Sequence, residues 1–317
     1  LEIALLHRLK IEPEIENEEV LSVLRQVVRW ENIKSDRKNY RLLGVGYHSV
    51  VLLNKRERSA YKFGKNLQNE IDLLMRLQEY SKKPKNVIAL KSVVERGTID
   101  VIELEYIKGR VLDDILNEQT RLPSTKIVQY GAGILNGLIE MHEVGIYHHR
   151  DIRPANIMVD ADSDEAVIVD LGIATTEENA KPLDNYRFGG QNDLVSLGQV
   201  MYFMSTGHHL FSKSDSMHVT RFKRDLRDER EKAYTGTISG GLKAYLEKIE
   251  DTIRPENSKK AIKAKLTHSG TFEVFLERVG DNVESRNLRM LIKTCLTTQG
   301  KDKDYQMLTE MFEAYTV

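Results

Sequence analysis

The 317-residue chain has a single cysteine, Cys295. That excludes an internal disulfide and any Cys-based zinc cluster, and it fits a reducing, intracellular setting. Neither sign of charge is in excess: 47 basic against 48 acidic residues give no overall pull toward nucleic acid or an anionic membrane. No apolar run approaches the roughly 18 residues of a membrane span, and no basic stretch leads into an apolar one near the N-terminus. Internal repeats and low-complexity tracts are missing as well. The chain begins at Leu1 rather than methionine, which reads as a trimmed start. One large domain or two lobes with separate cores is expected at this length, and burying a core is no difficulty.

The hydrophobic pattern changes along the chain. In "EEVLSVLRQVVRW", residues 18–30, Val20, Leu21, Leu24, Val27, Val28 and Trp30 recur at helical spacing, predicting an amphipathic helix that packs on a neighbour. Residues 38–107 carry short β-rich runs, "SVVLLN", "SAYKFG", "VIALKSVVE" and "TIDVIELEYI", interrupted by one helical run, "LQNEIDLLMRLQEY". Helices dominate from residue 110, with short strands at "NIMVD" and "AVIVDLG". Within the charged stretch 213–285, "GGLKAYLEKIEDTI" and "GTFEVFLERV" predict a mainly helical insertion. The basic tract at 221–232 contains acidic residues throughout and reads as a solvated helix face rather than a nucleic-acid patch.

Five groups carry chemistry. In "LLGVGYHSVV", Gly44 and Gly46 stand at the first two positions of G-x-G-x-x-G and Ser49 at the third. The run alone reads equally well as a tight hairpin. A dinucleotide fold would require a helix directly after the glycines, and none is predicted there. Lys62 ends an alternating strand, and Glu70, early in the helical run, is a carboxylate suited to keeping its ammonium charged and aimed. In "YHHRDIRPANIMVD", Asp151 is followed by Arg153 and then Asn156; Asp170 follows in "VIVDLG". Two carboxylates and an amide oxygen form a hard-oxygen set suited to Mg²⁺, with one carboxylate left to orient a hydroxyl. His148 and His149 tempt a zinc reading, but adjacent residues point apart and no further His or Cys completes a tetrahedron.

In this order the motifs resemble those of the eukaryotic-type protein kinase superfamily. The resemblance implies an α+β, two-lobed kinase-like fold, with a small β-rich N-lobe and a larger, mainly helical C-lobe. The expected divisions are an N-terminal helical extension (1–37), the N-lobe (38–107) and the C-lobe (108–317). It implies that ATP is held by Gly44, Gly46, Ser49, Val51, Ala60 and Lys62. Leu104 becomes the gatekeeper, and the backbones of Glu105 and Ile107 meet adenine. Asn156 and Asp170 become the Mg²⁺ ligands, with Asp151, Arg153, Lys62 and Glu70 as the catalytic set. His149 and Arg150 complete the catalytic loop, Gly172 follows the metal-binding aspartate with Leu171 where phenylalanine is commonest, and Asp193 starts a buried C-lobe helix.

The sequence also departs from the pattern. Only 22 residues separate Asp170 from Asp193, and no Ala-Pro-Glu motif occurs among them. Lys303 stands where the partner arginine of that motif is usual. Arg153 replaces the lysine usual in serine/threonine kinases, and tyrosine kinases often carry an arginine nearby. The acceptor is therefore read as a protein serine or threonine with tyrosine left open. A small-molecule phosphotransferase and a pseudokinase scaffold are the alternatives. The short segment after Leu171 offers Glu177, Glu178 and Asp184 as built-in carboxylates to neutralise Arg150. The predicted partners are ATP and a protein substrate, with no nucleic acid and no membrane span; the predicted location is cytoplasmic.

Overall fold

Helix α1 (Glu18–Arg29) owes little to its own propensity, since a 12-residue helix is marginal in isolation. The computed structural model, which describes residues 18–30, 33, 35–46, 48–79, 84–95, 97–178, 180, 192–210 and 271–316, shows what stabilises it. Val20, Val23, Leu24 and Val27 form one face and are all buried. Each contributes roughly 1.5–3 kcal/mol when fully covered. Their cover is the outward face of an antiparallel sheet built from β1 (Tyr40–Val45), β2 (Ser49–Asn54), β3 (Ser59–Gly64), β4 (Leu90–Glu95) and β5 (Asp100–Glu105), in the order β1-β2-β3-β5-β4. Val50, Leu52, Tyr61, Phe63 and Val101 supply the sheet's half of this small core. Trp30, just past the helix, closes its edge, with its ring 5.1 Å from Phe63 and 5.4 Å from Tyr61.

On the sheet's other face lies α2 (Gln68–Glu79), whose Ile71, Leu74 and Leu77 cluster with Ala60, Ile102 and Leu104. Because helices cover both faces, all six residues of β3 are buried. An alternating strand would ordinarily turn Lys62 to solvent; here it points into the interior. The run "VIALKSVVE" does not form one strand. Val87 makes an isolated parallel bridge to Ile168, the Ile88 N–H donates to the Ile168 carbonyl at 2.8 Å, and the sheet strand begins only at Leu90. Those residues join the sheet to the helical part instead.

The helical part comprises α3 (Leu112–Gln119), α4 (Ser124–Glu143), α5 (Asp193–Thr206), α6 (Thr271–Asn282), α7 (Arg286–Thr297) and α8 (Asp302–Thr316). A three-stranded antiparallel sheet of β6 (Gly109–Val111), β7 (Ile157–Asp160) and β8 (Ala166–Ile168) lies against α4. Gly133 makes that approach possible, since a Cβ there would stand 3.0 Å from the Ala166 carbonyl oxygen. Helix α5 is apolar on nearly all sides and correspondingly buried, as such helices are in larger cores. Asn192 caps it, accepting from the Val195 N–H and donating to the Thr298 carbonyl, which ties it to the end of α7. The result is a β-rich N-lobe and a helical C-lobe. The reading of 213–285 as a helical insertion falls mostly outside the described residues.

Candidate active site

Lys62, buried on β3, is the point where the parts meet. Its ammonium donates to both Glu70 carboxylate oxygens, at 2.8 and 2.6 Å, and to Asp170 Oδ1 at 3.1 Å. Burial alone would pull the lysine pKa down; the two carboxylates outweigh it and hold the pKa above its ordinary value. Asp72, two residues beyond Glu70, accepts instead from Gln68 on the exposed side of α2. Burial pushes the Asp170 carboxyl upward, but Lys62 and the Gly172 N–H, at 3.0 Å, hold it below the usual carboxylate range.

The catalytic-loop candidates sit between α4 and β7. Asn156, in a short 3₁₀ turn (Pro154–Asn156), donates from Nδ2 to Asp151 Oδ2 at 2.7 Å and to the Asp151 carbonyl at 3.0 Å. Arg153 Nε donates to the same Oδ2 at 3.1 Å. Asp151 is thereby oriented by an amide and a guanidinium together. The Val169 N–H donates to the Asn156 carbonyl at 3.0 Å, which brings this loop alongside Asp170. Upstream, the buried Asp193 carboxylate accepts from the His149 N–H at 2.7 Å and the Arg150 N–H at 2.9 Å. Those two bonds hold Arg150 at φ +72°, a left-handed conformation costly for a side chain of this kind. His149 Nδ1 in turn accepts from the Asp151 N–H at 3.2 Å. Burial pushes the His149 imidazole down despite Asp193, Asp170 and Asp151 nearby.

Gly44 and Gly46 frame the turn between β1 and β2, closed by the Gly46 N–H on the Ser49 carbonyl at 2.7 Å. Neither glycine has a positive φ. The space beside Gly44 is open, with nothing within 4 Å of where a Cβ would stand. Val51, Ala60, Leu104 and Ile107 share one apolar cluster below this turn, and the Glu105 N–H is taken by the Ala89 carbonyl at 2.9 Å.

Oxygen chemistry decides what a metal would find. Asp170 Oδ1 is engaged by Lys62 and Gly172, and the bonds of Asn156 run through Nδ2, so Asp170 Oδ2 and Asn156 Oδ1 are the hard oxygens left to face a cation. Two such donors suit Mg²⁺, which takes its remaining ligands from phosphate and water. Among the described residues no cluster of three or more His, Cys, Asp or Glu could hold a metal ion. His148 Nε2 donates to the Glu178 carbonyl at 2.8 Å.

Some expected residues are not brought together. Glu177 and Glu178 make no ion pair with Arg150, whose Nε is buried without a hydrogen-bond partner among the described residues; Asp184 lies outside them. The Glu177 amide instead folds back on Thr175 Oγ1, and the backbone of Glu178 is held at His148. Lys303 is exposed, and its neighbour Asp304 organises that loop by accepting from the Gln299 and Lys301 amides. Sequence reasoning also missed contacts. Asn69, beside Glu70, donates to the carbonyls of Gly172 and Ala174, and His48 in the glycine-rich turn contacts Glu19 of α1 at 2.8 Å. Neither pair lies close in sequence, so no local pattern could announce it.

Comparison with known proteins adds the relatives. The family described as "Protein kinase domain" matches residues 49–303. A probable serine/threonine-protein kinase of Clostridium acetobutylicum is 31% identical over 139 residues, 38% of this chain and 21% of that protein. Mitogen-activated protein kinase kinase 2 of Arabidopsis thaliana is 27% identical over 198 residues, 55% of this chain and 54% of that protein. The probable serine/threonine-protein kinase HSL1 of Saccharomyces cerevisiae is 31% identical over 143 residues, 40% of this chain and 9% of that protein. The chain thus spans about half or less of the length of these relatives.

Proposed function

The chain belongs to the protein kinase domain family, and from that premise we propose that it transfers the γ-phosphoryl group of ATP to a protein hydroxyl, serine or threonine ahead of tyrosine. The observation that carries the reading is Lys62 held between Glu70 and Asp170, with Asn156 and Asp151 bonded to each other alongside. A buried ammonium aimed by two carboxylates in a cleft is the kind of arrangement that functional sites concentrate.

Each residue then has a role. Lys62, fixed by Glu70, holds the α and β phosphates; Asp170 and Asn156 hold Mg²⁺. The bound metal supplies charge neutralisation on the phosphates. Gly44, Gly46 and Ser49 bring backbone close to those phosphates. Val51, Ala60, Leu104 and Ile107 form the apolar slot for adenine, with the backbones of Glu105 and Ile107 at its edge. Asp151 orients the acceptor hydroxyl and takes its proton as oxygen bonds to the γ-phosphorus and the bond to ADP breaks. Arg153, now paired with Asp151, sits as a planar cation beside the group in transfer. The N-lobe is taken as 38–107 and the C-lobe as 108–317, with α1 as an extension ahead of both. A single buried cysteine, its thiol pushed by burial up to about 12, fits a cytoplasmic setting. No helix among the described residues is long and apolar enough to cross a membrane.

The test is incubation with γ-labelled ATP, with and without Mg²⁺, against a mixture of proteins and a panel of small alcohols and sugars. Label on protein serine or threonine is expected. Label on small molecules alone makes it a small-molecule phosphotransferase, and no transfer removes the enzyme reading.

A further inference from the structure

Asn69 is an unexpected residue for the first turn of a helix. Asparagine is a poor helix former, and its usual use is to cap the helix it begins. Here the side chain leaves the helix altogether. Its Nδ2 donates to the carbonyl of Gly172 at 3.2 Å and to the carbonyl of Ala174 at 3.0 Å, more than a hundred residues away. The next residue, Glu70, meets the same segment from the same turn of α2. Its carboxylate shares the Lys62 ammonium with Asp170, and the Leu171 backbone N–H faces it. Consecutive side chains therefore grip consecutive parts of 170–174, one through donors and one through acceptors. Beyond the grip the segment is held again where Thr175 bridges to His148, its N–H donating to the His148 carbonyl at 2.9 Å. None of these ties uses Arg150.

We propose that Asn69 is a positioning residue that clasps residues 170–174 to α2, so that the placement of Asp170 is set by an amide built into the chain. The kinetic consequence rests on the phosphoryl-transfer reading; the clasp itself does not. Substituting Asn69→Leu keeps the size and removes both donors, Asn69→Asp keeps the shape and sets a carboxylate against two carbonyls, and Asn69→Gln keeps an amide donor. The exposed position of Asn69 makes all three compatible with folding.

The experiment is amide hydrogen exchange on the three variants and the unaltered chain, with turnover measured at saturating ATP. Exchange at the amides of Leu171, Ala174 and Thr175 should accelerate about tenfold in Asn69→Leu and Asn69→Asp, while amides of α4 keep their rates. In Asn69→Gln exchange should return toward the unaltered value, and kcat should fall in the first two variants with KM for ATP changed far less. Unchanged exchange at 171–175 overturns the proposal. So does acceleration spread evenly through the C-lobe, which would mark a merely structural loss. If the unaltered chain transfers no phosphoryl group, the proposed function fails, and the exchange rates still decide the clasp.

Discussion

At the scale of single residues, position on a shared element separates a buried, paired carboxylate from an exposed one. Glu70 and Asp72 lie on the same helix two residues apart, yet one is buried against Lys62 and the other bonds Gln68 in solvent. Removing the charge of Glu70 leaves a buried ammonium with Asp170 alone, whereas Asp72 gives up one exposed contact. Glu70→Gln should cut kcat/KM for ATP by about tenfold or more, and Asp72→Asn should leave it within about twofold. Equal losses in the two variants would contradict the Lys62 assignment. His149 offers a second check. Burial lowers its folded-state pKa below the ordinary histidine value of about 6.5, so the unfolded chain takes the proton first as pH falls. Stability should be complete above that value and decline below it until the folded imidazole also protonates. Urea midpoints compared at neutral and mildly acidic pH should show a shallower decline in His149→Phe. His142, also lowered by burial, supplies part of the remaining slope.

At the scale of elements, the sheet positions Lys62 because it is covered on both sides, and α1 supplies one of those covers. Leu24 is almost wholly buried beneath it. Leu24→Ala should cost about 2–5 kcal/mol of stability, read from the urea midpoint, whereas substitution of the exposed Arg25 should change it little. A result within about 0.5 kcal/mol of the unaltered chain would mean that α1 is a passenger rather than part of the N-lobe.

The sequence made much of this legible. Four strands and the helices α1 and α2 follow from runs whose apolar spacing is strong, and the candidate site residues are read from types that one chemistry requires in a fixed order. Local pattern could not show that Val87 and Ile88 would leave the sheet to pair with Ile168, since an apolar run looks the same wherever its hydrogen bonds go. Nor could it show that Arg150 would sit apart from Glu177 and Glu178. A loop of free carboxylates looks able to reach a nearby cation until its backbone is seen bound to His148 and Thr175.

At the scale of the whole molecule, the two lobes share one apolar cluster, in which Ile71, Leu74 and Leu104 join Leu135 and Ile168, and specific ties cross between them as well: Lys62 to Asp170, Asn69 to Gly172 and Ala174, Arg76 to the Val144 carbonyl, and Ile88 to Ile168. None of these ties runs through Arg150. Phosphatase-treated protein, and a variant combining Thr175→Ala, Thr176→Ala and Tyr186→Phe, should therefore turn over within about threefold of untreated protein. If both are silent until rephosphorylated, Arg150 is a receptor for an added anion and the ties are insufficient.

The central claim is that Asp151 and Asp170 act in phosphoryl transfer. Its most direct test is single-turnover transfer of the labelled γ-phosphoryl group to a protein acceptor, with Asp151→Asn and Asp170→Ala beside the unaltered chain and folding checked by circular dichroism. The account predicts Mg²⁺-dependent transfer by the unaltered chain, a loss of roughly 10²-fold or more in folded Asp151→Asn, and no detectable transfer by folded Asp170→Ala. Near-normal transfer by either folded variant would contradict it.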